Sequence, residues 1–353
     1  MCSQLFAPTL YGDFTLKTKL HTSTDSFDAL QPAWDALVDR SMANTPFNLL
    51  AWNRTWWEVY QPGDLWIVTC HTDDNHIVGI TPWFIEHHET LGRIVRFIGH
   101  VDVVDYLDMV VDEAHLIEAY ETFVTFLKEN QANYDRIGLA NVRESSPTYT
   151  VFAEMLKSQG FQVSFEQNDV APRIDLPTDY DSYLSNILSS RERKEVKRKM
   201  RKADGGLYDV EWYTVNGSHD LNEELEQFLN LMRSADQEKA AFLENPQHVD
   251  FFRRIMPEMQ AADLLRLHFL KIDGTPCAAY LNLDHNGHVY VYNSGLEPNT
   301  FGALSPGIVL LQKLIKDAIQ QGHTVFDFLR GDESYKYKMG GTDTRVHQIN
   351  AIC

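Results

Sequence analysis

Between residues 325 and 341 the chain reads VFDFLRGDESYKYKMGG. Asp332, Glu333, Tyr335, Lys336, Tyr337 and Lys338 crowd directly behind an apolar run and ahead of Gly340-Gly341. A loop that only reverses the chain is served by Ser, Asn and Gly. Carboxylates set beside phenols and ammonium groups are instead the parts of a proton-transfer site: an acid, a base, and charge to stabilise what forms between them. Asp327 and Arg330, at the end of the run, are expected to pair and hold the packet in place.

Two further stretches have the chemistry of anion binding. GALSPG (302–307) opens an amphipathic segment, PGIVLLQKLIKDAIQQG (306–322). Ser305 suits the N-cap and Pro306 the first helical position, while Gly302 and Gly307 let backbone come close to a ligand. Free N–H groups at such a helix start bind phosphate. In SSRERKEVKRKMRK (189–202), eight bases, Lys197 and Arg201 among them, stand against Glu192 and Glu195. Ser189 with Glu192 forms a capping box and Gly205-Gly206 a stop, so the run reads as one helix whose charge exceeds what its own acids can pair. An anionic ligand is expected there.

The elements that position these residues occur twice. The first half reads as a strand (14–20), helices over 27–41 and 49–60, strands in 65–86, 93–99 and 105–111, a helix over 113–131, a strand over 135–142, a helix over 148–159 and a strand over 161–166. The second repeats the order: a strand over 171–176, helices over 179–188, 190–204, 220–240 and 246–262, a strand pair within 264–284, a strand over 288–296 after the Asn286-Gly287 turn, the helix from 306, a strand over 324–329 and a last strand over 344–349. Strands and helices in this order give an α+β fold, and its duplication predicts two domains, 1–168 and 169–353. The helix start in the first copy is Asp112-Glu113, whose carboxylates would occupy the N–H groups that Ser305–Gly307 leave open. A phosphorylated donor is therefore expected only in the second copy, and Asp105 and Tyr106, within DVVDYLD (102–108), are the first copy's expected contribution to an acceptor cleft.

Composition narrows the function. The net charge is -19, which repels polyanions over most of the surface; DNA binding is excluded and tRNA binding disfavoured. Four cysteines lie far apart without a C-x-x-C pair, so neither a disulfide framework nor a metal site is expected. No apolar run is long enough for a membrane span, and the first twenty residues do not read as a secretory leader; the cytoplasm is the expected address. No zinc-protease, nucleophile-elbow, Walker or dinucleotide motif occurs.

ALSPGIVLLQKLIKDAIQQG followed by FDFLRGDESYKYKMG resembles the C-terminal signature of GNAT-type acyltransferases of the CelD/BcsL kind, linked to cellulose and exopolysaccharide synthesis and related to the FemAB peptidyltransferases. The basic run resembles the Arg/Lys-rich helix of that superfamily. The resemblance spans about residues 45 to 350 and implies tandem GNAT-like domains. It implies an acyl, in particular acetyl, transfer from acyl-CoA to an amine or hydroxyl of a sugar- or cell-envelope-related acceptor, anionic or sugar-containing, without a metal. It places the CoA pyrophosphate on the loop Gly302 through Gly307, with Gly302, Ser305 and Gly307 in contact, and the acyl arm in a splay of Tyr292–Leu296 beside Phe326–Leu329, where backbone N–H groups near Asn293, Ser294 and Gly295 would serve the thioester carbonyl. Tyr335 is then the acid, with Tyr337 in reserve; Glu333 or Asp332 is the base, and Lys336 lowers the phenol's pKa. The R/Q-x-x-G-x-G/A loop is replaced by S-P-G. That keeps open a FemAB-like donor, aminoacyl-tRNA, and a non-catalytic binding protein on the same fold.

Overall fold

The computed structural model describes residues 16–100 and 103–353. Cys2, the first two residues of the strand expected from 14, and Asp102 lie outside them.

The first half contains β1 (Lys17–His21), α1 (Ser26–Val38), α2 (Leu50–Tyr60), β2 (Gly63–Leu65), β3 (Ile67–His71), β4 (Ile77–Thr81), β5 (Trp83–His88), β6 (Gly92–Phe97), β7 (Val110–Val111), α3 (Leu116–Glu129), β8 (Arg136–Arg143), α4 (Ala153–Ser158) and β9 (Gln162–Asp175). The second contains α5 (Tyr180–Ser182), α6 (Ser190–Ala203), β10 (Val210–Thr214), α7 (Leu221–Ala235), α8 (Gln237–Phe242), α9 (Pro246–Ala261), β11 (Leu265–Ile272), β12 (Thr275–His285), β13 (His288–Leu296), α10 (Pro306–Gln320), β14 (Val325–Asp327), α11 (Ser334–Lys338) and β15 (Thr342–Ile352).

The strands form a four-stranded sheet, β1-β3-β4-β7, and an eleven-stranded sheet, β10-β11-β12-β13-β14-β9-β15-β8-β6-β5-β2. Each half contributes one parallel pair to the large sheet. β13 meets β14 over His288–Tyr290, and β6 meets β8 at Ile94 and Val95. The repeat read in the sequence is thus a repeat of topology, an α+β arrangement of mixed, mostly antiparallel strands flanked by helices.

The helix expected over 220–240 is two, α7 and α8, parted at Asp236, whose side chain caps α8. Four strand readings also change. The strands expected over 161–166 and 171–176 are one strand, β9, in which residues 168 and 169 are internal positions; β15 pairs along it from Gln162 to Arg173. The strand expected over 105–111 shrinks to β7, because Asp105, Tyr106 and Asp108 are drawn into side-chain hydrogen bonds with Arg330, Asp327 and Thr148. β10 was not anticipated. β14 stops at Asp327, short of the expected Leu329, because Leu329 (φ 59°) and Gly331 (φ 110°) turn the chain out of the sheet.

This early stop creates the feature that matters. β13 runs on to Leu296 while its neighbour leaves after pairing with Tyr290, so the two strands splay apart. A β-bulge where β13 faces Leu281 and Asn282 bends it further. One face of β13 carries Tyr290 and Tyr292 into the aromatic core, where Tyr292 lies 5.3 Å from the Trp52 ring. Val289 and Val291 on the other face pack with Phe326, Phe328 and the inner side of α10. Trp52 and Trp56 are fully buried on α2, and burying rings of this kind supplies on the order of 1.5–3 kcal/mol each.

Candidate active site

The basic run forms α6 as its capping signal dictates, with the Ser189 hydroxyl accepting from the Glu192 N–H at 3.2 Å. Only Val196 and Ala203 of the helix are buried, so most of its bases face outward. Two are anchored to the loop ahead of α10. The Lys199 ammonium donates to the Ser305 hydroxyl at 2.9 Å, and that of Lys202 to the Ala303 carbonyl at 2.9 Å.

Those contacts change the role expected of Ser305. It occupies the N-cap position in a left-handed conformation (φ 54°), and its side chain makes no cap hydrogen bond to α10. The first turn of a fifteen-residue helix therefore begins at Pro306 without a side-chain acceptor on its N–H groups. The equivalent start in the first half is closed. The Asp112 carboxylate accepts from the Ala114 N–H at 3.0 Å and from Arg40 at 2.9 Å.

In front of the open helix start lies a cavity of about 900 Å³. Arg191, Lys194, Arg198 and Lys199 of α6, with Glu192 and Glu195 between them, Ile308 of α10, and Tyr335 and Lys338 of α11 line it, and Glu195 pairs with Arg198 at 2.7 Å. Tyr335 stands half-buried with its ring edge-to-face against Phe328 at 6.1 Å. Burial pushes its phenol well above the ordinary value, helped by Tyr280 and Glu333 nearby. Tyr280, 5% exposed on β12, completes the corner: a Cβ at Gly307 would stand 4.0 Å from its hydroxyl. Two protonated phenols and a bare helix start thus converge, beneath four bases of one helix. A second cavity, about 800 Å³, lies across α6 and is lined by Lys197, Arg201, Lys316 and Tyr180.

The rest of the packet is organised differently from expectation. Lys336 is 2% exposed, and its ammonium donates to the carbonyls of Leu329, Arg330 and Gly331 at 3.2, 2.6 and 3.1 Å while pairing with Glu333 at 2.8 Å. It pins the turn instead of lowering the Tyr335 pKa, which is raised. Asp332 is exposed, and the Glu333 side chain is 56% exposed. Tyr337, the reserve acid, is exposed as well.

Asp327 and Arg330 do not pair with each other. The Asp327 carboxylate accepts from the Tyr106 hydroxyl at 2.9 and 3.0 Å and from the Leu329 N–H at 2.8 Å. Arg330 pairs with Asp105 at 3.3 Å, and the Tyr292 hydroxyl donates to the Val103 carbonyl at 2.8 Å. Asp105 and Tyr106 therefore belong to a buried seam between the halves and not to the wall of an open cleft, since the Asp105 carboxylate meets Arg330 and the Tyr106 hydroxyl meets Asp327 across it.

At the splay, the Ser294 N–H is taken up by the Asn293 side chain at 2.9 Å and is not free for a carbonyl. Gly295 is required by close packing: a Cβ there would sit 2.6 Å from the Leu231 Cβ and 2.7 Å from the Met232 nitrogen of α7. Gly302 faces open space. The sequence reading missed Lys239, whose ammonium reaches from α8 to the Ser294 carbonyl and hydroxyl at 2.6 and 3.0 Å. Burial lowers its pKa, while Asp236 and Glu333 act the other way and Lys336 adds to the lowering. It also missed Tyr280. Nothing in the sequence marks either residue, because each becomes special only through an element distant in the chain.

Residues 190–337, which span α6 to α11, match the family described as Acetyltransferase (GNAT) domain. No curated protein matches the chain. Two solved structures share its fold over almost the whole length. A structure titled FemX is 12% identical, covering 94% of this chain and 96% of its own, with a TM-score of 0.64. A conserved protein of unknown function from Bacteroides thetaiotaomicron is 10% identical, covering 96% of this chain and 100% of its own, with a TM-score of 0.57. The chain has the GNAT fold and carries an acetyltransferase-like domain in its second half. Among the described residues there is no group of His, Cys, Asp and Glu fit to hold a metal, and no helix long and apolar enough to cross a membrane.

Proposed function

We propose that the protein is an acyltransferase whose donor site is the second-half cavity between α6, α10 and α11. In this reading an acyl-CoA places its pyrophosphate on the open start of α10 and its thioester in the splay of β13 and β14. An amine or hydroxyl of a sugar- or cell-envelope-related acceptor attacks the thioester carbonyl. The single observation that carries the reading is the uncapped α10, with Lys199 holding the one hydroxyl that could have capped it.

The residues divide the work by environment. The new bond forms between the acceptor atom and the carbonyl carbon, and the carbon–sulfur bond breaks. The departing thiolate takes its proton from Tyr335, a phenol that already carries its proton at neutral pH and regains it from water afterwards; its burial makes that transfer harder, so the geometry at the cavity, not the pKa shift, nominates it. The acceptor's proton leaves to water beside the exposed Asp332 and Glu333. The four α6 bases at the cavity offset the donor's phosphates. Residues 1–168 serve as the acceptor-side domain and 169–353 as the donor domain.

A second reading keeps the fold and changes the donor to aminoacyl-tRNA. The observation that favours it is the second basic cavity, where Lys197, Arg201 and Lys316 extend the positive surface past what one CoA needs. Calorimetric titration with acetyl-CoA, followed by competition with an aminoacyl minihelix, distinguishes the two. Acetyl-CoA binding that the minihelix does not displace supports the first reading. Minihelix binding without acetyl-CoA binding supports the second, and binding of neither refutes both.

A further inference from the structure

Along α6, away from Tyr335, the contacts with the loop before α10 advance in register. Val196 and Ile308 border the cavity, Lys199 holds Ser305, and one turn on, about 4.5 Å further, Lys202 holds Ala303. Further outward on both sides of this track stand aromatic residues. Tyr208, just past the Gly205-Gly206 stop of α6, meets Phe301 with ring centroids 5.7 Å apart at 81°. Phe301 is partly buried against the core under α10, so it fixes the pair. Tyr208 is 36% exposed and Leu207 beside it 77% exposed. An edge-to-face pair covers one face of one ring only, which leaves ring surface open to a third flat group.

We propose that Tyr208 and Phe301 form the subsite for the adenosine end of the donor, with Lys202 beside its phosphate. The inference rests on the donor reading above and adds the group at the far end of the donor. Both candidate donors end in this chemistry: CoA in a phosphorylated adenosine diphosphate, aminoacyl-tRNA in a 3′-terminal adenosine. A base stacks on an aromatic face whatever its identity, while a phosphate needs a cation at its side. Of the carboxylates in the neighbourhood, Asp204 faces Lys313 at 3.7 Å, whereas Asp273, which accepts from the Asp209 N–H at 2.8 Å, Glu297, which accepts from the N–H groups of Asn299 and Thr300, and the exposed Asp209 keep their charge, so Lys202 is the cation that must hold the phosphate there.

The test uses the full chain and Tyr208→Ala and Tyr208→Trp, both at an exposed loop position where folding is not at risk. Calorimetry reads the affinity of each for acetyl-CoA, for acetyl-phosphopantetheine, which lacks the adenosine, and for an aminoacyl minihelix with a 3′-terminal adenosine. Tyr208→Ala should weaken the adenosine-bearing donor by roughly 5- to 150-fold. Tyr208→Trp should restore it, and acetyl-phosphopantetheine should bind all three proteins alike. A loss confined to acetyl-CoA assigns the platform to CoA, and one confined to the minihelix assigns it to RNA; either supports the subsite. If Tyr208→Ala binds every donor as the parent does, the subsite is refuted while the donor cavity stands. If the parent binds none of the three probes, the donor reading itself falls and the subsite with it.

Discussion

Replacing Lys336 by Met tests whether this residue pins the turn that carries Tyr335. Methionine keeps much of the side chain's length and volume, so the cavity it leaves is small. The ammonium, however, is the donor to three carbonyls and is itself almost fully buried. Leu329 is 2% exposed, so its carbonyl loses its partner outright, at a cost of about 1–3 kcal/mol. Arg330 and Gly331 are only partly buried. Water can replace part of what their carbonyls lose, leaving about 0.5–1.5 kcal/mol each. The ion pair with Glu333 adds little, because that carboxylate is 56% exposed and screened by solvent. The expected destabilisation of Lys336→Met is therefore about 2–6 kcal/mol, against under ~1 kcal/mol for Glu333→Gln. Urea denaturation of both variants, at unchanged denaturant slope, gives the comparison. The reasoning is refuted if Lys336→Met unfolds at the parental midpoint, or if Glu333→Gln costs as much as Lys336→Met.

Three further outcomes follow from the same geometry. Burial pushes the Asp327 carboxyl up to about 6, against the opposing pull of the Leu329 N–H, the Tyr106 hydroxyl and Arg143, with Asp105 adding to the rise. The folded chain therefore holds a proton that the unfolded chain releases, and stability falls as pH rises from about 4 through about 6, by roughly 2–3 kcal/mol in all. Asp327→Asn, which can still accept from Tyr106 and Leu329, should flatten the urea midpoint between pH 4.5 and 7.5; an unchanged slope contradicts the assignment. Gly295→Ala forces α7 off β13 and should cost about 1–3 kcal/mol in thermal or urea unfolding, and a parental melting temperature would mean the crossing is looser than described. Tyr335→Phe should lower turnover by roughly 10²–10⁴-fold with donor affinity nearly unchanged. Parental turnover would remove the phenol from the mechanism.

The parts of this protein that were legible in its sequence are those governed by local rules. The apolar spacing of α10, the Asn286-Gly287 turn with both residues at positive φ, and the Ser189 cap of α6 depend on residues close together in the chain, and each folds as its pattern indicates. β9 was read as two strands because Asn168, Asp169 and Pro172 look like a break. Pairing with β15 on one edge and β14 on the other holds the strand through them. β10 carries no fully buried residue and pairs only with β11, so it left a weak signal. The candidate site divides in the same way. The open helix start and the basic run could be named from composition and spacing. The choice of Asp105 as partner for Arg330 joins residues 225 positions apart, and that of Ser294 for Lys239 joins residues 55 apart. No local pattern carries such pairings, because the sheet's closure brings the groups together.

The central claim is that the donor sits at the start of α10 and not at its counterpart in the first half. A Cβ at Gly307 would meet Leu296 at 3.5 Å and the Tyr280 hydroxyl at 4.0 Å, ordinary contact distances, so Gly307→Glu should fold while placing a carboxylate at the position proposed for the pyrophosphate. Calorimetric titration of acetyl-CoA into the parent, Gly307→Glu and Glu113→Gly measures the claim directly. The account predicts saturable binding to the parent and to Glu113→Gly, and none to Gly307→Glu at the same concentrations. Binding to Gly307→Glu with the parental affinity would contradict it.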